Sequence, residues 1–95
     1  MTPRPDMMVR RHDGLISEIV LEDVVVLDPE TSRYVRLNSS AAVLWQLLES
    51  GPTTVSNLAR VLRERLGAPE QDALEDAAAF VTAMAERELI ELVPA

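Results

Sequence analysis

The sequence predicts an α+β domain in which a three-stranded antiparallel sheet comes first and three helices follow. Apolar residues recur with a period of two up to residue 37 and with a helical period from residue 38 onward. No strand-like segment follows each helix, which excludes a parallel sheet built from βαβ units. With 95 residues, of which 47% are hydrophobic, the chain is expected to form one domain with a single core.

The N-terminal segment carries the weaker β signals. Residues 1–6 contain two prolines and are expected to form a flexible tail, which leaves 7–95 as the single domain. Residues 7–12 favour a short strand, which the Asp-Gly pair at 13–14 ends as a turn. Residues 15–21 have moderate β character and are ambiguous between strand and loop.

A hairpin is the clearest β feature. The β-branched run 24–27 predicts a strand, and residues 33–37 predict its partner. Asp28 and Pro29 favour a type I turn between them, because proline presets φ and the aspartate side chain caps the backbone. In the second strand, alternate side chains share a face: Val35 with Leu37, and Tyr34 with Arg36.

Three helices of about 12, 13 and 18 residues follow, each with its own start signal. Asn38 is a good N-cap for the first helix, which Gly51 ends. Thr53 or Thr54 caps the second helix, and Pro69 suits the first turn of the third. The apolar stripes predicted to form the core are Ala41, Leu44, Trp45 and Leu48, then Val55, Leu58, Ala59, Leu62 and Leu66, then Leu74, Ala77, Phe80 (or Val81) and Met84.

This element order corresponds to a winged helix-turn-helix arrangement with its sheet placed first, so a DNA-binding regulator is one functional hypothesis. A strip of Arg60, Arg63 and Arg65 on the second helix favours it. The overall charge argues against it, since the chain has 9 arginines, no lysine and 16 acids, a net charge of −7. From Pro69 to the end there are seven acids and only Arg87 as a base, so the third helix would repel phosphate.

Composition also excludes several other classes of protein. Without cysteine the chain forms no disulfide, thiolate metal site or cysteine nucleophile. The uncharged, largely apolar runs 41–48 and 77–85 are too short to span a bilayer, and no secretory signal opens the chain. We therefore expect a soluble cytoplasmic protein. Residues 89–93 are expected to close the chain as a frayed helical turn or a short extended tail.

Groups suited to catalysis are scarce. His12 is the one imidazole and lies beside Asp13 near the N-terminus, and the three glycines lie at turns or helix ends, not in a phosphate-binding loop. Asp72, Glu75 and Asp76 share a helix face, but a straight helix rarely supplies enough oxygen ligands for a carboxylate metal site. The sequence therefore predicts a non-catalytic protein without a metal ion or cofactor.

The hairpin indicates a more specific function. In a sheet of two or three strands at least one flank is an edge, whose free N–H and C=O groups can pair with an added strand. If the third helix lies beside residues 33–37, a groove forms between them. Four alanines would keep the helical wall of this groove shallow, or would simply permit close helix packing: Ala73, Ala77, Ala79 and Ala83.

Residues spread over most of the chain form one recognisable set: Leu27-Asp28, Arg33-Tyr34, Leu37-Asn38, Ala41, Trp45, Leu47, Leu48, Gly51, Thr53-Thr54-Val55, Phe80-Val81, Met84 and Leu89-Ile90. Together they resemble the signature of the PqqD-like family, the small peptide-recognition domains of pathways that modify ribosomally made peptides (RiPPs). The resemblance covers about residues 9–92. Glu88 departs from the family pattern, which commonly has glycine there.

Within that family, the Ala41-Ala42 pair before Trp45 and the freestanding size are most similar to leader-recognition proteins of actinobacterial lasso peptide clusters. The resemblance implies that the protein binds the leader of a precursor peptide as an added strand. It also implies delivery of the leader to a cysteine-type leader peptidase and an ATP-dependent macrolactam synthetase. The leader-binding residues implied are Arg33, Tyr34, Val35, Arg36, Leu37, Asp72, Ala73, Asp76, Ala77 and Phe80. Alternatives are the winged-helix DNA-binding regulator and a PqqD-type chaperone of another RiPP or quinone-cofactor pathway.

Overall fold

A computed structural model describes residues 3–93 as a mixed α+β fold with two three-stranded antiparallel sheets and three helices. The elements follow one another in the order β-β-β-β-α-β-α-α-β. Their bounds are β1 Met8–Arg11, β2 Ile16–Val20, β3 Asp23–Asp28, β4 Arg33–Leu37, α1 Ser39–Glu49, β5 Thr53–Thr54, α2 Val55–Leu66, α3 Glu70–Glu86 and β6 Ile90–Val93.

The hairpin predicted from the β-branched run is confirmed and belongs to the sheet with strand order β2-β3-β4. Val24 lies opposite Leu37 and Val26 opposite Val35, so these four side chains share the face that packs on the helices. Asp28 shapes the turn as expected, since its Oδ1 accepts a hydrogen bond from the Glu30 N–H at 3.0 Å. The segment 15–21, ambiguous in sequence, supplies β2.

The sheet differs from the prediction at β1. A single N-terminal sheet was expected, but β1 belongs to a second sheet with the order β5-β1-β6. Its partners come from the segment between α1 and α2 and from the C-terminal segment, where Arg11 lies opposite Ile90. The residues expected to end the chain as a frayed turn or extended tail therefore form β6. Local pattern could not reveal these pairings because they join residues about 45 positions apart for β5 and about 80 positions apart for β6.

The core lies between the two sheets and the three helices and contains Trp45 at 0% exposure. The Trp45 indole Nε1–H donates to Ser17 Oγ at 2.8 Å, which satisfies the only polar group of that side chain and ties α1 to β2. Two residues predicted for the core are exposed instead, Leu66 and Leu74. On α3 the buried residues are Ala73, Ala77, Val81 and Met84, so the predicted stripe holds except that Ala73 takes the place of Leu74, and Val81 is the buried member of the Phe80–Val81 pair.

The helix boundaries agree with the capping signals. The Asn38 side chain accepts the Ala41 N–H at 3.0 Å, and Thr54 Oγ1 accepts the Asn57 N–H at 3.0 Å. Gly67 follows α2 with φ of 70°, the left-handed conformation common after a helix. Pro69 is the N-cap of α3 and therefore precedes the first helical turn instead of lying inside it.

The backbone at the end of α3 bears on Glu88, which stands where the family pattern commonly has glycine. The Leu89 N–H donates to the Met84 carbonyl and the Glu88 N–H to the Ala85 carbonyl, each at 3.0 Å. This pair of bonds is a Schellman motif, which requires a left-handed residue after the helix, and Glu88 has φ of 60°. The chain thus keeps a backbone conformation that glycine favours although it has glutamate there.

Replacing Glu88 with glycine is expected to raise the free energy of unfolding by about 0.5–1 kcal/mol and Tm by roughly 4 °C. The gain comes from removing a Cβ that is strained at positive φ. Thermal unfolding followed by circular dichroism measures it. Glu88→Ala is the control, because it removes the carboxylate but keeps the Cβ, and an equal gain from alanine would contradict the explanation.

The N-terminal segment contacts the domain where the structure describes it. Of the predicted flexible tail 1–6, Met1 and Thr2 lie outside the described residues. Pro3 is buried, and the Pro5 carbonyl accepts a hydrogen bond from the Ser56 N–H at 2.9 Å. The boundary between tail and domain stays a prediction. Within residues 3–93, no helix combines the length and apolarity that crossing a membrane requires.

Candidate functional site

Strand β4 has an unpaired edge. It pairs with β3 on one side, and no strand among residues 3–93 pairs with its other side. In an antiparallel sheet, alternate residues of an edge strand direct their N–H and C=O groups away from the neighbouring strand. The unpaired edge of β4 therefore presents a short row of donors and acceptors that another extended chain could satisfy.

Helix α3 lies across a groove from this edge. The groove has a volume of about 510 Å³ and is lined from three sides. Its floor consists of apolar side chains that belong to the core or border it, namely Leu37, Leu44, Leu62 and Met84. The wall formed by α3 combines one aromatic ring, Phe80, with the small residues Ala79 and Ala83. Such a lining has room for apolar side chains and offers them few polar groups.

The length of the groove suits an extended peptide. Asp76 and Arg87 both line it and lie eleven residues apart on α3, which corresponds to about 16 Å at 1.5 Å rise per residue. At about 3.3 Å per residue, that distance accommodates roughly five residues of a strand. Strand β4 is itself five residues long, so its unpaired edge matches the helical wall in length.

Charged side chains mark the two ends. Asp76 is exposed at one end and Arg87 at the other, and within residues 3–93 neither forms an ion pair. Arg36 also lines the groove, but its Nε donates to Asp23 Oδ2 at 2.7 Å, so an internal partner already holds it. The groove is thus mostly apolar, with Arg36, Asn38 and Ser40 as further polar lining residues and opposite charges at its ends.

A second depression of about 400 Å³ continues the groove along β4. The two share Val35 and Arg87, and the second is bordered by the turn before β4 and by the turn after α3. Tyr34 belongs to its lining and is 71% exposed. The left-handed residue Glu88 helps to form this end, so the α3 terminus contributes to the shape of the site.

The structure brings together only some of the residues implied as leader-binding. Val35, Arg36 and Leu37 of β4 line the main groove with Asp76 and Phe80 of α3, and Arg33 and Tyr34 line its continuation. The other three are not in either lining. Ala73 and Ala77 are fully buried in the core and therefore do not line the groove. Asp72 is exposed near the start of α3, outside the groove.

Several lining residues were not singled out as binding residues from sequence. Met84 and Arg87 continue the α3 face of Phe80 at helical spacing, so an i, i+4, i+7 series starting from Phe80 would have found them. Ala41, Leu44, Leu62 and Leu66 come from α1 and α2. These had been assigned to core stripes, since an apolar helix position gives no sign of whether it faces a core or a groove.

The site has no arrangement typical of an active centre or a metal centre. In the part of the chain that the structure describes, no three His, Cys, Asp or Glu side chains are grouped as a metal site would require. The polar groups along the groove are backbone amides, the neutral polar residues Asn38 and Ser40, and separated charges. What this geometry offers is backbone pairing on one side and apolar contact on the other, which suits a bound peptide strand.

Comparison with solved structures places this arrangement among PqqD-like RiPP recognition elements. A lasso peptide synthetase B1 complexed with its leader peptide matches with a TM-score of 0.75 and 26% identity, over 87% of this chain and 96% of the other. TbiB1 in complex with the TbiA(β) leader peptide matches with a TM-score of 0.77 and 24% identity, over 86% and 94%. At that identity the likeness is one of fold.

A third structure extends the comparison beyond lasso peptide proteins. It is the PqqD truncation of Methylobacterium extorquens PqqCD, described as a functional, stand-alone RiPP recognition element. It shares the fold with a TM-score of 0.71 and 23% identity, over 88% of each chain. The family model for coenzyme PQQ synthesis protein D (PqqD) matches residues 23–90. The chain belongs to the PqqD family. Comparison with curated proteins gave no match.

Proposed function

We propose that this protein is a non-catalytic recognition protein that binds the leader of a ribosomally made precursor peptide of the lasso type. The observation that carries the proposal is the unpaired β4 edge facing an apolar groove walled by α3. The leader would add a strand to β4 and place alternate side chains in the groove. Two structures of the same fold are complexes with leader peptides, which supports a leader as the ligand.

In this binding mode, the β4 edge and the α3 wall contribute differently to leader recognition. Backbone hydrogen bonds to β4 supply affinity that depends little on leader sequence, while Phe80 and the spaces above Ala79 and Ala83 select apolar side chains. An acidic leader residue near Arg87 and a basic one near Asp76 would favour one direction of the strand. A strand of five or six residues with two apolar anchors is expected to bind with about 8–10 kcal/mol, roughly micromolar to tens of nanomolar.

Delivery of the bound leader to a leader peptidase and an ATP-dependent macrolactam synthetase completes the proposal. It rests on the resemblance to lasso peptide leader-recognition proteins. A role in another RiPP or quinone-cofactor pathway is the second candidate, because the family model is that of a PQQ synthesis protein. The identity of the leader distinguishes the two.

The DNA-binding alternative is less well supported by the charges. In the basic strip of α2, Arg60 donates to Glu64 Oε2 at 2.8 Å, so part of that strip is neutralised within the helix. The acids Glu70, Asp72 and Glu75 are exposed on α3, the helix that would have to approach phosphate. The winged helix-turn-helix description of the fold stays a prediction.

Titration with a labelled synthetic leader tests the function. The proposed function places a precursor-peptide gene beside this one, and the leader of that precursor, labelled with a fluorophore, is the probe. The fluorescence anisotropy of the probe should saturate at one peptide per protein. Hydrogen exchange should slow at the outward-facing amides of β4, because an added strand would pair with them. A scrambled leader and a DNA duplex serve as controls. Salt-sensitive DNA binding without leader binding would favour the regulator instead.

A further inference from the structure

The turn between β2 and β3 exposes an unusual amount of apolar surface. We call residues 19–22 the hairpin tip. Leu21 is 87% exposed and Ile19 72% exposed, and Val20 is exposed beside them. The turn has only two residues, Leu21 and Glu22, since Val20 lies opposite Asp23. The tip belongs to the end of the sheet, away from the core, and lines neither depression of the candidate groove.

Leu21 also has a strained backbone. Its φ is 59°, a left-handed value that few residues with a Cβ adopt and that two-residue hairpin turns usually assign to glycine or asparagine. Its side chain gains no burial in return. Glycine at this position would relieve the strain and remove the exposed apolar surface. Leucine is therefore less favourable than glycine for both the stability and the solubility of the isolated domain. A contact made outside the domain would account for both costs.

The charges around the tip indicate what could cover it. Glu18 and Glu22 are exposed on either side of the apolar residues, and the protein as a whole carries −7. Nucleic acid or an anionic membrane would be repelled by these carboxylates. A second copy of the chain would bring four glutamates together. A surface that pairs lysine or arginine with an apolar pocket would be attracted.

We propose that the hairpin tip is the docking point for a folded protein partner with an apolar pocket rimmed by basic side chains, which receives Leu21. This rests on the proposed delivery function, because it assigns a surface to the enzymes that receive the leader. Strand β2 lies at the edge of the sheet opposite β4. A partner at the tip therefore leaves the groove open, and the protein holds leader and enzyme at separate surfaces.

The test uses the full chain with the leader peptidase and the macrolactam synthetase whose genes the proposed function places beside this one. Each enzyme is purified and titrated separately by biolayer interferometry. Leu21→Gly should weaken binding of at least one enzyme by about tenfold or more, while raising Tm by roughly 4 °C through relief of strain. Glu22→Lys should weaken the same complex and reduce its sensitivity to salt. Leu74→Gln removes an exposed apolar side chain from α3 and should leave binding unchanged.

Leader binding, measured separately, should be the same in all three variants because none of these residues lines the groove. The docking proposal is wrong if the unmodified protein binds the leader but binds neither enzyme. It is also wrong if the Leu21→Gly variant binds both enzymes as tightly as the unmodified protein does. If the leader itself fails to bind, the proposed function fails, whatever the enzymes do. If the Glu22→Lys variant binds the enzyme more strongly than the unmodified protein does, the proposed basic rim of the partner's pocket is wrong.

Discussion

The Ala83→Glu variant is expected to bind the leader about 100-fold more weakly than the unmodified protein, or not measurably. Ala83 lines the groove on the α3 wall, and its small side chain leaves room for an apolar group of the peptide. A glutamate there would fill this space and place an unpaired carboxylate against apolar side chains. Fluorescence anisotropy with the labelled leader measures the loss.

Thr82→Glu is the matched control for this variant. Thr82 is the preceding residue of α3, is exposed, and does not line the groove, so its replacement changes the net charge equally. Both positions are exposed on a helix that tolerates glutamate, and both variants should keep the circular dichroism spectrum of the unmodified protein. Equal affinities of the two variants would show that the leader does not bind between β4 and α3.

Replacing Trp45 with alanine is expected to lower the free energy of unfolding by about 3–5 kcal/mol. Trp45 is completely buried and holds α1 against the β2-β3-β4 sheet, so truncation opens a large cavity where the elements meet. Small domains have a total stability of only about 5–15 kcal/mol, and this one change would remove much of it. Urea unfolding followed by far-ultraviolet circular dichroism measures the loss.

Ser17→Ala separates the hydrogen bond from the packing. It removes the acceptor of the Trp45 indole N–H and leaves that donor without its partner, which is expected to cost about 1–3 kcal/mol. The ring stays in place, so this variant should unfold at a higher urea concentration than Trp45→Ala. If the two variants lose the same stability, the hydrogen bond rather than the ring dominates, contrary to the packing argument.

Much of the fold was predictable because its signals are local. The β-branched run 24–27 and the Asp-Pro turn predict the hairpin, and Asn38 and Thr54 predict two helix starts that the side-chain hydrogen bonds confirm. Each of these signals depends on residues within a few positions of one another. The pairing of β1 with β6 has no such signal, and the sequence left that C-terminal strand as a turn or tail.

The candidate site shows the same division. Residues 33–37 were expected to form an edge, and their unpaired side faces the groove. On α3, Ala73 and Ala77 were expected at the groove together with Phe80, yet they are fully buried. Successive residues of a helix are rotated by about 100° around its axis. If the side of the helix that faces the core is predicted slightly wrongly, a residue assigned to the groove therefore lies in the core.

The sequence by itself determined the three helices, the hairpin with β4 as its last strand, and the excess of acid on α3. These follow from periodicity, capping and composition, which act along the chain. Only the tertiary structure decided which side of α3 faces β4, that β1 leaves the hairpin sheet to pair with the C-terminal strand, and that Leu21 projects from the hairpin tip in a strained conformation. Those outcomes depend on how separate elements pack, and packing is a balance among residues far apart in the chain.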